Sequence, residues 1–82
     1  MDVHVTPEGK RYRLTRHAET RAAERRVSLE EIETALDCCE ISHQDRHGNH
    51  CYVKTLSSSA RLRLVVEANT DPLRIITVVV LN

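Results

Sequence analysis

The chain lacks Phe and Trp altogether and has only two Tyr, Tyr12 and Tyr52. Base-stacking platforms of the kind that single-strand binders use are therefore nearly absent. A core has to come from Leu, Ile, Val and Ala, which gather in the second half. Neither sign of charge is in excess, since twelve Lys and Arg balance twelve Asp and Glu. A neutral chain must concentrate positive charge locally to hold phosphates. No stretch approaches the roughly twenty apolar residues that a membrane helix needs. Cysteine is scarce and odd in number (Cys38, Cys39 and Cys51), and the opening Met1–Val5 is too short and polar for a leader. These absences predict a reduced, cytoplasmic protein with no membrane contact. Its 82 residues make a single domain, 1–82, with 1–10 as a tail and 11–82 as the folded part. So small an aliphatic core favours a homodimer or another partner.

What is present is segregated. Residues 10–26 hold seven of the twelve basic residues (Lys10, Arg11, Arg13, Arg16, Arg21, Arg25 and Arg26) against two acids. Residues 28–45 hold six acids and no Lys or Arg. Arg11–Leu14 alternates polar and apolar and reads as a short edge strand. Thr15 suits an N-cap for a helix over 16–26. Ser28, with Glu31 three residues on, forms a capping box for a second helix over 29–37. That helix gathers Leu29, Ile32, Ala35 and Leu36 on one face. From Cys38 the period changes to two, which predicts strands at 40–46, 51–57, 61–68 and 73–81. Gly48-Asn49 fits a two-residue hairpin turn. The last segment is apolar on both faces and belongs inside the sheet. The fold class is α+β: two N-terminal helices packed on an antiparallel sheet of four strands, or five with the opening one.

In the first helix His17, Arg21 and Arg25 recur every fourth position and form one stripe beside Ala18 and Ala22. Arg21 and Arg25 repel each other by roughly 0.2–0.5 kcal/mol in an isolated helix, and Glu24 is placed to offset that. The stripe has two readings, a solvated charged face or a surface for phosphates. A second group, His43, Asp45, His47 and His50, clusters around the hairpin. Alternation would put all four on one face, as zinc ligands or as a solvated tip. No CxxC or HExxH spacing accompanies them, so no metal and no cofactor is expected. Adjacent Cys38 and Cys39 read as small buried apolar residues.

The pattern His17-Ala18, Arg21, Glu24-Arg25, Val27-Ser28, Glu30 and Ile32 resembles the opening motif of the domain of unknown function 4258 family. Ile76-Thr77-Val78 looks like that family's closing strand. Arg26 departs from the pattern, which often has Gly there, and Cys38-Cys39 replace a Gly-containing stop. The resemblance covers residues 12–80. It implies affinity to RelE/ParE-type toxins and to barnase/EndoU/colicin/RelE-type ribonucleases, with a RelE-like fold and metal-free RNA cleavage. It further implies an antitoxin or immunity protein as partner. Such cleavage needs a group that moves protons near pH 7 and cations for the phosphate. His17 suits the first role. Arg21 and Arg25 suit the second, with a hydrogen bond from Thr77 and further cations in Lys54, Arg61 and Arg63. A β-branched residue chosen for strand propensity is the other reading of Thr77. The rival function is a non-catalytic binding or regulatory domain on the same scaffold.

Overall fold

The computed structural model describes residues 2–81. In chain order its elements are β1 (His4–Val5), β2 (Arg11–Leu14), α1 (Arg16–Glu24), α2 (Leu29–Cys38), β3 (Ile41–Gln44), β4 (His50–Thr55), β5 (Arg61–Glu67) and β6 (Leu73–Leu81).

The helices start and stop for local reasons. Thr15 is extended, and its Oγ1 accepts the Ala18 amide at 3.1 Å, which opens α1. The helix closes in a Schellman motif, with the Val27 amide donating to the Ala22 carbonyl and the Arg26 amide to Ala23. Arg26 takes the left-handed position of that motif at φ 57°. Glycine suits this position because it has no Cβ to clash, so the departure at Arg26 places a strained arginine there. α2 opens with both halves of the capping box, Ser28 Oγ accepting from the Glu31 amide and Glu31 Oε1 from the Ser28 amide. One of its C-terminal carbonyls is met from outside, by Lys10 Nζ donating to Leu36 at 2.7 Å.

Both helices pack on one face of a single sheet of order β1-β2-β6-β5-β4-β3. Ala18 and Ala22 let α1 approach closely, while Ile32, Ala35 and Leu36 come from α2. Tyr12, Leu14, Leu62, Leu64, Val66, Ile75 and Val78 meet them from the strands. Each of the fully buried large aliphatic side chains contributes about 1.5–3 kcal/mol. The Tyr12 ring is fully buried and its hydroxyl donates to Glu33 at 2.7 Å. Burial, with that carboxylate beside it, holds the phenol in its neutral form well above the usual tyrosine range.

The sheet departs from the sequence expectation of four or five antiparallel strands. It has six and is mixed, because β2 runs parallel to β6 (Tyr12 with Leu73, Leu14 with Ile75) while all other pairs are antiparallel. Alternation along Arg11–Leu14 reports a half-buried strand but not the direction of a partner some sixty residues away. His4–Val5, inside the stretch read as a tail, adds the sixth strand by pairing with Tyr12 and Arg11.

The β3–β4 connection also differs. Asp45 donates its amide to the Asn49 carbonyl and accepts the Gly48 amide, so three residues rather than two form the turn. Gly48 takes the positive φ of 83° that closes such a turn. Asp45 Oδ1 caps it by accepting the amides of His47 and Asn49. The consequence is one of register. Gln44 pairs with His50 and His43 with Cys51, so His43 and His50 stand on opposite faces of the sheet.

Candidate functional site

β2 ends at Leu14, opposite Ile75, and the chain turns away into α1. The remainder of β6 keeps β5 on one side and, among the described residues, has no strand on the other. Thr15 fixes where α1 departs. Its amide donates to the Ile75 carbonyl at 3.1 Å and its hydroxyl to the Ile76 carbonyl at 3.0 Å. The helix is therefore held beside the open edge of β6. Ala18 and Ala22 face the core, and the neighbouring stripe of His17, Arg21 and Arg25 stays exposed.

A cleft of about 300 Å³ lies between stripe and strand, lined by His17, Arg21, Arg25, Thr77, Val78, Val79 and Val80. Successive side chains of a strand point to opposite faces, so four consecutive residues of β6 cannot all line one cleft with side chains, and main-chain groups contribute to it. The cleft floor is the strand edge itself. Thr77 pairs with Val65 and Val78 is in the core, so the Thr77 side chain stands on the helix-free face, away from the stripe on α1, and not where the sequence reading needs it for a hydrogen bond to a phosphate between stripe and strand. Arg21 Nη1 lies 3.5 Å from Glu24 Oε1, an exposed contact worth at most about 1 kcal/mol. That pairing leaves its guanidinium available to an anion.

The other candidate cations lie elsewhere. Lys54 pairs with the buried Leu62 and so points to the helix side, in a hollow with Ser28, Glu31 and Thr34. Arg61 and Arg63 alternate with buried Leu62 and Leu64 and occupy the helix-free face. Arg11 and Arg13 flank buried Tyr12 and share that face, where Arg74 pairs with Glu67 at 2.9 Å. Arg13 Nε and Arg63 Nε are buried there without a hydrogen-bond partner. The basic N-terminal run thus divides between the cleft, the helix-free face and the C-terminus of α2, and does not form one patch. Glu40, whose carboxylate accepts the Thr55 amide at 2.5 Å, is held below the usual carboxylate range mainly by that bond, with Lys54 and Arg61 adding to it.

The hairpin brings no ligand set together. Among the described residues no group of three or more His, Cys, Asp or Glu is arranged to hold a metal ion, and His43 and His50 are separated by the sheet. Burial pushes the Asp45 carboxyl up, but the Asn49 and His47 amides outweigh it and hold the group below its ordinary value. All three cysteines are free; Cys51 is buried, whereas Cys39 is half-buried and Cys38 exposed, so the adjacent pair does not enter the core as expected. Among the described residues, no helix is long and apolar enough to cross a membrane. Sequence reasoning singled out the stripe and missed the role of β6 as a main-chain edge. The length mismatch between Arg11–Leu14 and the nine-residue last strand was the available signal.

The family model for a domain of unknown function, DUF4258, matches residues 14–80, a span that includes the stripe and the edge as far as Val80. No curated protein and no solved structure matches the chain.

Proposed function

The chain belongs to the DUF4258 family, and from the chemistry of its cleft we propose that it is a small toxin-like endoribonuclease that works without a metal. The observation that carries this reading is the convergence of His17, Arg21 and Arg25 on one cleft against the β6 edge. Two guanidiniums about one helical turn apart grip phosphate oxygens through paired N–H donors. An exposed imidazole in the first turn of the same helix is the group that moves a proton near neutral pH. In the proposed step the ribose 2′-oxygen attacks phosphorus and loses its proton as the P–O5′ bond breaks. The 5′-oxygen leaves as a hydroxyl, and the phosphate remains as a 2′,3′-cyclic ester. Arg21 and Arg25 stabilise the charge that gathers on the phosphorus oxygens, and His17 serves as the general acid or base. Affinity to RelE/ParE-type toxins, implied by the opening motif, belongs to this reading, as does a cytoplasmic setting. Lys54 is not part of the site, and Arg61 and Arg63 serve at most a strand of RNA that continues across the helix-free face.

Expression in bacteria tests the proposal: the wild type should arrest growth and His17→Ala should not. Equal growth of the two strains would count against it.

The zero net charge and the unpaired β6 edge favour a second reading, a non-catalytic domain that binds a protein partner through the same scaffold. A folded His17→Ala protein that still binds RNA or a protein partner, from a wild type with no cleavage activity, would select it.

A further inference from the structure

We infer that the outer edge of β6, from Thr77 to Leu81, accepts an added strand from a protein partner, and that the segment it accepts is extended and acidic. Three observations carry this. First, β2 leaves β6 at Ile75, and among the described residues no other strand pairs with β6 on that side. Thr15 satisfies the Ile75 and Ile76 carbonyls, and beyond them the edge continues for five residues. An apolar, unpaired edge of this length, half-buried at Thr77, Val79 and Val80 and exposed at Leu81, is a template for main-chain pairing. Second, Thr77–Val80 line the cleft consecutively, so its floor offers main-chain groups.

Third, the far wall of the cleft is the His17, Arg21 and Arg25 stripe, in which, among the described residues, Arg21 makes an exposed pair with Glu24. Residues four apart on a helix rise about 6 Å, and residues two apart on a strand about 6.6 Å. Carboxylates at alternate positions of an added strand therefore match the spacing of Arg21 and Arg25. Main-chain bonds to β6 supply affinity, and the arginines select acidic side chains. A strand seated there also fills the space that the proposed function gives to a phosphodiester. The pairing stands on the geometry alone, and only its inhibitory consequence rests on the ribonuclease reading.

The test uses the ¹⁵N-labelled full chain and a capped eight-residue peptide of alternating Val and Glu. Its controls are a Val/Lys counterpart and two versions N-methylated at one or the other set of alternate amides. The Val/Glu peptide should shift the amides of Thr77–Val80 and of Arg21 and Arg25, and bind at least tenfold more tightly than the Val/Lys peptide. One N-methylated register should lose tenfold or more and the other should not, because a strand presents only alternate amides to its neighbour. The exposed double variant Arg21→Glu with Arg25→Glu should reverse the preference between Glu and Lys peptides. Equal binding of both N-methylated peptides, shifts confined to Arg13 and Arg63 on the helix-free face, or no shifts at millimolar peptide would overturn the inference. A twelve-nucleotide single-stranded RNA separates the two claims. If RNA leaves the cleft amides unmoved, the ribonuclease reading fails, while the peptide titration still decides strand addition.

Discussion

Thr15 and Ile76, sixty-one positions apart, are joined by a 3.0 Å hydrogen bond from the Thr15 hydroxyl to the Ile76 carbonyl. The same oxygen accepts the Ala18 amide, so one side chain both starts α1 and fastens it to the strand it flanks. His17 follows two residues later, and its place over the β6 edge depends on this bond.

Replacing Thr15 by Ala should cost about 1–2 kcal/mol for the lost cap, and roughly 1 kcal/mol more for the bond to Ile76. Thr15→Ser, which keeps the oxygen, should retain most of the stability. Urea unfolding midpoints check both, and an alanine variant as stable as the wild type would show that the bond does not anchor α1.

Arg26 should be replaceable with profit to stability. A left-handed backbone costs a non-glycine residue roughly 1–2 kcal/mol, and the extra freedom of unfolded glycine takes back roughly 0.5–1 kcal/mol. Arg26→Gly should therefore raise the melting temperature by up to about 4–8 °C, the shift expected for 1 kcal/mol in a domain of this size. Arg26→Val, β-branched at φ 57°, should lower it. A glycine variant that melts at or below the wild-type temperature contradicts this account of the helix end.

Asp45 gives the β3–β4 turn a dependence on acid. Its carboxyl titrates lower in the folded protein than in the unfolded chain. The stability it contributes is fully present above the unfolded value near 3.9. It is lost as pH falls through the lower folded value. The amide shifts of His47 and Asn49 should follow that low midpoint. Asp45→Asn should keep the turn and abolish this part of the pH dependence; an unchanged acid profile in the variant would assign it to another group.

The sequence made the helices legible because their signals are local. Thr15, Ser28 and Glu31 cap within three residues of their partners, and the apolar spacing of Ile32, Ala35 and Leu36 is read within one helix. The sheet was less legible because its pairings are not local. Alternation along Arg11–Leu14 shows a strand, but its parallel alignment with Leu73–Ile75 follows from how two helices and three strands intervene. At the hairpin, the Asp45 cap adds one residue to the turn, and that reverses the face on which His50 stands relative to His43. The stripe of His17, Arg21 and Arg25 could be read from helical spacing alone. Its companion surface could not, since the β6 edge is left unpaired because β2 stops at Leu14.

Cleavage of a defined RNA by the folded full chain tests the central claim that the α1–β6 cleft is a ribonuclease site. The measurement compares the wild type with His17→Ala and Arg21→Lys, on an RNA and on the same RNA with a single 2′-deoxy substitution at the cut position. The account predicts 2′,3′-cyclic phosphate ends and resistance of the deoxy substrate. It predicts a loss of roughly 10²–10⁴-fold for His17→Ala, the usual contribution of a general acid or base. Arg21→Lys should also be slower, because an ammonium cannot reproduce the paired donors of a guanidinium. Cleavage by folded His17→Ala and Arg21→Lys at the wild-type rate, or equal cutting of the deoxy substrate, would contradict it.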